Sequence, residues 1–137
     1  MGIDSKIRVL IVDDNHLFHE VVVRGISSDQ YIEVVAKASD PFEARGKILA
    51  YKPNVIICNV EMIKMNGIEY MRRLLQYPLP VIVVSSAKIA VFDSMSIGTI
   101  DFISKPDEGS PKAMERFVGE MITKIKHRYQ KNSIKYY

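Results

Sequence analysis

Asp13 and Asp14 follow the apolar run 7–12, Asn59 closes 55–58, Ser85 and Ser86 follow 81–84, and Lys105 follows 101–104. Each ends a stretch rich in valine and isoleucine, so a fold that aligns those stretches brings the polar residues to one edge. Adjacent carboxylates repel and raise each other's pKa unless a cation lies between them. A hard cation such as Mg²⁺ takes several oxygen ligands and keeps some of its waters. An ammonium and a hydroxyl beside it complete a set that can neutralise and hydrogen-bond phosphoryl oxygens. Taken alone, Asp13–Asp14 reads as a strand terminator with helix-capping duty. That reading weakens once Ser85 and Lys105 stand at matching places.

The elements that must position this set alternate. Short β-branched runs lie at 7–13, 33–38, 55–59, 81–85 and 101–104, and stretches of helical periodicity lie between them. Such alternation implies crossover units and a mostly parallel sheet. The first, third and fourth runs are apolar on both faces, as in central parallel strands covered by helices on each side. Asp40, Pro41 and Glu43 make a helix start with cap, first-turn proline and capping-box acid; Ser110–Pro111 repeats the cap and proline. The first helix, from about Asn15, offers Leu17, Phe18, Val21, Val22 and Ile26. The third and fourth are expected over 67–75 and 87–96. The fifth sets Met114, Phe117, Val118, Met121, Ile122, Ile125 and Tyr129 on one stripe. The expected fold is α/β, a doubly wound five-stranded parallel sheet flanked by five helices, with its crevice beyond the carboxyl ends of the strands.

Composition bounds the function. A chain of 137 residues holds one ordinary domain and can bury a core without disulfides. The single cysteine, Cys58, excludes an internal disulfide and a multi-cysteine zinc site, and its place inside a strand suits a buried, inert thiol. No apolar run approaches the roughly 20 residues of a membrane span, and the first eight residues lack a signal-peptide core. The expected setting is therefore the cytoplasm, with no membrane contact. The net charge of +3 is uneven: seven Lys and Arg lie from Lys112 onward against Glu115 and Glu120, and the remainder is slightly acidic. We read that basic stretch as a solvated helix face with a frayed end. Phe117 and Tyr129 fall on the apolar stripe and make no stacking platform, so nucleic acid is set aside. His16 and His19 lie three apart with no third ligand, which does not make a transition-metal site.

The motifs together resemble the receiver domain of two-component response regulators. The matching stretches are 9–14 (VLIVDD), 40–44 (DPFEA), 53–62 (PNVIICNVEM), 65–67 (MNG), 79–86 (LPVIVVSS) and 101–106 (DFISKP). The likeness covers nearly the whole chain, as a receiver domain over 1–130 with a basic tail or linker start over 131–137. Several details, the double serine and the VEM before Gly67 among them, look most like the receiver of the chemotaxis protein-glutamate methylesterase. The resemblance implies the flavodoxin-like receiver fold and a phosphorelay role. Mg²⁺ would sit on Asp13, Asp14, residue 59 and the Glu61 carbonyl. Ser85 would be the switch hydroxyl, Phe102 the switch aromatic, Lys105 the phosphate-binding lysine, and the Lys105–Pro106 peptide cis.

The departure is at the phosphoacceptor. The family has aspartate where this chain has Asn59, and a carboxamide is a poor nucleophile whose nitrogen donates hydrogen bonds and binds no metal. Ile63 and Asn66 also differ from the usual loop. Asn59 is thus the mark of a non-phosphorylatable pseudo-receiver or of an engineered phosphorylation block, with only weak Mg²⁺ binding. Four other readings are weighed. A dinucleotide enzyme needs a glycine-rich turn after the first strand, and residues 13–16 are acidic and glycine-free. An aspartyl phosphatase would lack an acid/base partner. A phosphorylation-independent interaction module, or a fragment of a protein-glutamate methylesterase, stays open. The expected partners are a sensor histidine kinase or other protein at the face of the fourth helix, fifth strand and fifth helix, an attached output domain, and a weak homodimer. The domain itself is not expected to be an enzyme.

Overall fold

A computed structural model describes residues 6–13, 16–59, 79–85, 100–106 and 109–134. The elements are β1 (Ile7–Val12), α1 (His16–Ser27), β2 (Ile32–Ala38), α2 (Pro41–Tyr51), β3 (Val55–Asn59), β4 (Val81–Ser85), β5 (Ile100–Ser104) and α3 (Pro111–Ile134). The helix expected fifth is α3; those expected over 67–75 and 87–96 lie outside the described residues. The strands form one parallel sheet in the order β2-β1-β3-β4-β5. The order reverses between β1 and β3, so the crevice of a doubly wound sheet falls at their carboxyl ends.

Alternation along the strands builds two cores. Leu10, Val12, Ile56, Cys58, Val81 and Val83 point to one face, where Ala44 and Ile48 of α2 cover them. Val9, Ile11, Val55, Ile57, Ile82, Val84 and Ile103 point to the other, beneath Val22 and Ile26 of α1 and Phe117, Met121 and Ile125 of α3. This two-sided burial is why the strands read as continuous apolar runs.

The α2 ends follow local chemistry. The Asp40 carboxylate accepts the Glu43 N–H at 2.8 Å, and the Glu43 carboxylate accepts the Ser39 N–H at 3.2 Å. Pro41 occupies the first turn, where its missing N–H costs nothing. At the other end Lys52 takes a left-handed conformation, φ 48°, and its N–H donates to the Ile48 carbonyl at 3.0 Å. In α3 the Ser110 hydroxyl accepts the Ala113 N–H at 3.2 Å.

The α1 stripe is narrower than its apolar residues suggest. Val22 and Ile26 are buried and Phe18 partly so, but Leu17 is 77% exposed and Val21 is also open to solvent. Positions 18, 22 and 26 make one row and 17 and 21 the adjacent one, and the sheet and α3 cover only the first. Much of the basic character of α3 is used inside the fold. Arg128 Nε lies 2.6 Å and Lys124 Nζ 3.6 Å from the Asp101 carboxylate on β5. Lys126 Nζ lies 2.6 Å from Asp29 in the turn before β2, with the Tyr31 ring 5.4 Å away. No described helix is long and apolar enough to cross a membrane.

The α1–α3 packing depends on a missing side chain. A Cβ at Gly25 would stand 2.7 Å from both Val118 methyls, whereas one at Gly46 in α2 would meet nothing within 4 Å. Gly25→Ala should therefore destabilise the protein by about 1–3 kcal/mol through overpacking. Gly46→Ala should stabilise it by roughly 0.5–1 kcal/mol through backbone entropy. Urea titration of both variants checks the opposite signs.

Burial acts to raise the Asp101 pKa, but the hydrogen bond from Arg128 and the charges of Arg128 and Lys124 outweigh it, so the carboxyl titrates below its ordinary value. A carboxyl depressed in the folded state contributes stability above its unfolded pKa and loses it as pH falls through the folded one. Asp101→Asn should thus cost on the order of 1 kcal/mol at pH 7 and shallow the acid limb of the stability curve below about pH 4. Urea midpoints of both proteins between pH 7 and pH 2 check it; parallel curves would count against the coupling.

Candidate functional site

The site is assembled by strand register. Val12 pairs with Cys58, so Asp13 emerges beside Asn59. The Asp13 N–H donates to the Ala38 carbonyl at 2.8 Å, which holds the residue at the end of the β1–β2 ladder. Asn59 pairs with Val84, so Ser85 on β4 stands one step beyond it. Ser85 pairs with Ser104, and the Lys105 N–H donates to the Ser85 carbonyl at 3.0 Å. Neighbouring strands lie about 4.8 Å apart, so the four backbones span roughly 15 Å of one sheet edge.

Burial singles out the same residues. Among the described residues, the buried polar side chains are Asp13 at 8% exposure, Asn59 at 1% and Ser85 at 5%. Burying a polar group is costly unless it is hydrogen-bonded or otherwise compensated, and a sheet edge that encloses three of them is organised around polar contacts. Lys105 is half-buried at the end of the row, and its Nζ sits 4.4 Å from the centroid of the Phe18 ring on α1. Phe102 pairs with Val83 and is partly buried against the α2-side core. Asp14, Ser86 and Glu61 lie outside the described residues, as do Ile63 and Asn66. No cis peptide occurs among the described residues, so the cis Lys105–Pro106 bond that the resemblance implies is not found.

Phe18 is the site residue that sequence reasoning missed. Its spacing with Val22 and Ile26 marked it as core, and nothing in the sequence tells a ring that only packs from one that also receives a cation.

Oxygen donors suit a hard cation, and the donors here are of that kind. The Asp13 carboxylate and the Asn59 carboxamide oxygen stand on neighbouring strands at a largely enclosed edge. They fit a Mg²⁺ site, with one fewer carboxylate than an aspartate at position 59 would supply. Among the described residues no three His, Cys, Asp or Glu side chains gather into a cluster that could hold a metal. Cys58 is fully buried; desolvation and the nearby Asp13 charge push its thiol far above the ordinary range. It should resist a thiol reagent such as iodoacetamide in the native state and react once urea unfolds the chain. Modification at a free-thiol rate in buffer would show that β3 opens at the site.

Comparison with known proteins agrees with this fold. Residues 9–114 match the response regulator receiver domain. The chain is 51% identical over 122 residues to protein-glutamate methylesterase/protein-glutamine glutaminase 2 of Syntrophomonas wolfei, covering 88% of this chain and 36% of that protein. It is 41% identical over 127 residues to the protein-glutamate methylesterase/protein-glutamine glutaminase of Syntrophotalea carbinolica, covering 89% and 36%. Its fold is similar to the response regulator domain of Thermotoga maritima CheB, with a TM-score of 0.76, 32% identity, and coverage of 91% of this chain and 97% of that one. The chain thus spans little more than a third of the length of the curated relatives named here.

Proposed function

We propose a role for this chain from one fact: it belongs to the response regulator receiver domain family. It is a receiver domain of two-component signalling, and its fold is the receiver fold. The finer reading concerns its site. The residue at the phosphoacceptor position is Asn59, so the domain takes no phosphoryl group as it stands and acts by binding. The observation that carries this is the near-complete burial of the Asn59 carboxamide between Asp13 on one side and the Ser85–Lys105 end of the sheet on the other.

Each group has a role in that reading. Asp13, with Asp14 and the Glu61 carbonyl, would hold Mg²⁺, and Mg²⁺ when bound neutralises phosphoryl oxygens. Lys105 presents an ammonium to the same oxygens, and the Ser85 hydroxyl hydrogen-bonds to one of them. Ser85 and Phe102 would move together as the switch between two populated states. With acetyl phosphate as donor, a carboxylate at position 59 would attack phosphorus while the bond to the acetate oxygen breaks and acetate departs with the electron pair. The carboxamide of Asn59 cannot take that first step.

The likeness to methylesterase receivers supports a setting in chemotaxis, in the cytoplasm, with residues 1–130 as the receiver and 131–137 as a basic tail or linker start. The partners proposed are a histidine kinase and an output domain. The alternative, an interaction module whose site handles no phosphate even with an aspartate at position 59, draws on the same buried carboxamide, and a fragment of a protein-glutamate methylesterase stays open beside it.

Incubation with acetyl phosphate and Mg²⁺ tests the proposal. The unmodified chain should stay at its own mass, and the Asn59→Asp variant should gain one base-labile phosphoryl group that maps to position 59 and requires Mg²⁺. Label on the unmodified chain would reveal another acceptor and overturn the reading. Label on neither protein would make the interaction module the better account.

A further inference from the structure

We infer that Phe18 is a positioning residue for Lys105, its ring face holding the ammonium at the carboxyl edge of the sheet. The inference rests on the reading of Lys105 as the phosphate-facing cation and adds the residue that aims it. The Nζ–centroid distance of 4.4 Å is well within the roughly 6 Å at which an ammonium is attracted to a ring face. The ring is itself fixed: its centroid lies 6.0 Å from that of Phe117, tilted by 52°, and Phe117 is buried in the core beneath α3. The other end of the lysine is fixed as well, by the N–H bond from Lys105 to the Ser85 carbonyl. A flexible side chain is thereby held at both ends.

The choice of an aromatic partner has a chemical consequence. A carboxylate at position 18 would hold the lysine more strongly, but the ion pair would then compete with an incoming phosphoryl group. A ring attracts the ammonium through its quadrupole and, unlike a carboxylate, brings no countercharge of its own. Strand alternation supports the placement, because Lys105 shares the parity of Ile103, which faces the α1–α3 core that contains Phe18. Any change at position 18 that keeps its volume but weakens the quadrupole should therefore act on the lysine and leave the packing with Phe117 in place.

The experiment has two arms. In the unmodified chain, the NMR resonances of the Lys105 Hε protons should be displaced upfield by the ring current and should return to ordinary positions in Phe18→Leu. In the Asn59→Asp variant, phenylalanine analogues with one, two and three ring fluorines at position 18 should slow labelling by acetyl phosphate in step with fluorination. The cumulative slowing should be about two- to thirty-fold, with the thermal midpoint unchanged. A flat rate across the series, with slowing only in Phe18→Leu, would reduce Phe18 to a packing residue and overturn the inference. Ordinary Hε positions that ignore Phe18→Leu would overturn it too. If the Asn59→Asp variant takes no label, the phosphorelay reading fails at its own step, and the Hε displacement still decides whether the ring holds the lysine.

Discussion

The parallel register of β1, β3 and β4 is the constraint from which the rest of the molecule follows. Val12 opposite Cys58 and Asn59 opposite Val84 leave Asp13, Asn59 and Ser85 at adjacent strand ends. A slip of one residue would send every side chain of a strand to the other face. It would put Cys58 where Asn59 stands and expose the two cores to each other's helices. The apolar residues that enforce the register are fully buried on both sides of the sheet, so the pairing that stabilises the fold is also what aims the polar groups. An unsatisfied buried polar group costs about 1–3 kcal/mol, and enclosing three at one edge is tolerable only where the register makes them neighbours.

Charge at that edge is moderated in two ways. A carboxamide at position 59 is far cheaper to bury than a carboxylate, and it relieves the repulsion that a second acid there would impose on Asp13. At the other end of the row, the ammonium of Lys105 lies over the Phe18 ring, which attracts it without adding a countercharge. The cations of α3 are treated differently. Arg128 and Lys124 meet Asp101, and Lys126 meets Asp29, so the helix is fastened to β5 and to the α1–β2 turn by charges that sequence composition alone would leave open to a partner.

The strands were the most legible part of the chain. Val55–Asn59 and Val81–Ser85 coincide with the expected runs because continuous apolar stretches of that length, closed by polar residues, have few other stable solutions. β1, β2 and β5 differ from expectation by a residue at one end, where pairing with a neighbour decides what periodicity does not. The start of α2 was readable because its cap is local chemistry; its end at Lys52 was not, because a left-handed lysine carries no glycine to announce it. Leu17 and Val21 were grouped with the core of α1 because two adjacent rows of apolar residues look alike in sequence, and only the tertiary contact shows which row is covered. The polar edge itself was legible, since Asp13, Asn59, Ser85 and Lys105 each close a recognisable strand. The Phe18–Lys105 contact was not, because it joins residues far apart in sequence through a ring that also packs.

That contact gives the site a mechanical neighbour. Phe18 touches Lys105 on one side and Phe117 on the other, and Phe117 belongs to the same helix whose Arg128 and Lys124 grip Asp101 on β5. β5 in turn carries Phe102 and leads directly into Lys105. The chain therefore closes a loop of contacts, from Lys105 through α1 and α3 to β5 and back. Packed interiors do not deform continuously, so a displacement of the lysine head has to be accommodated somewhere along this loop. The buried Phe117 is the member least able to move, so the ring packed against it keeps the Lys105 ammonium at the carboxyl edge of the sheet, the place proposed for its meeting with a phosphoryl oxygen.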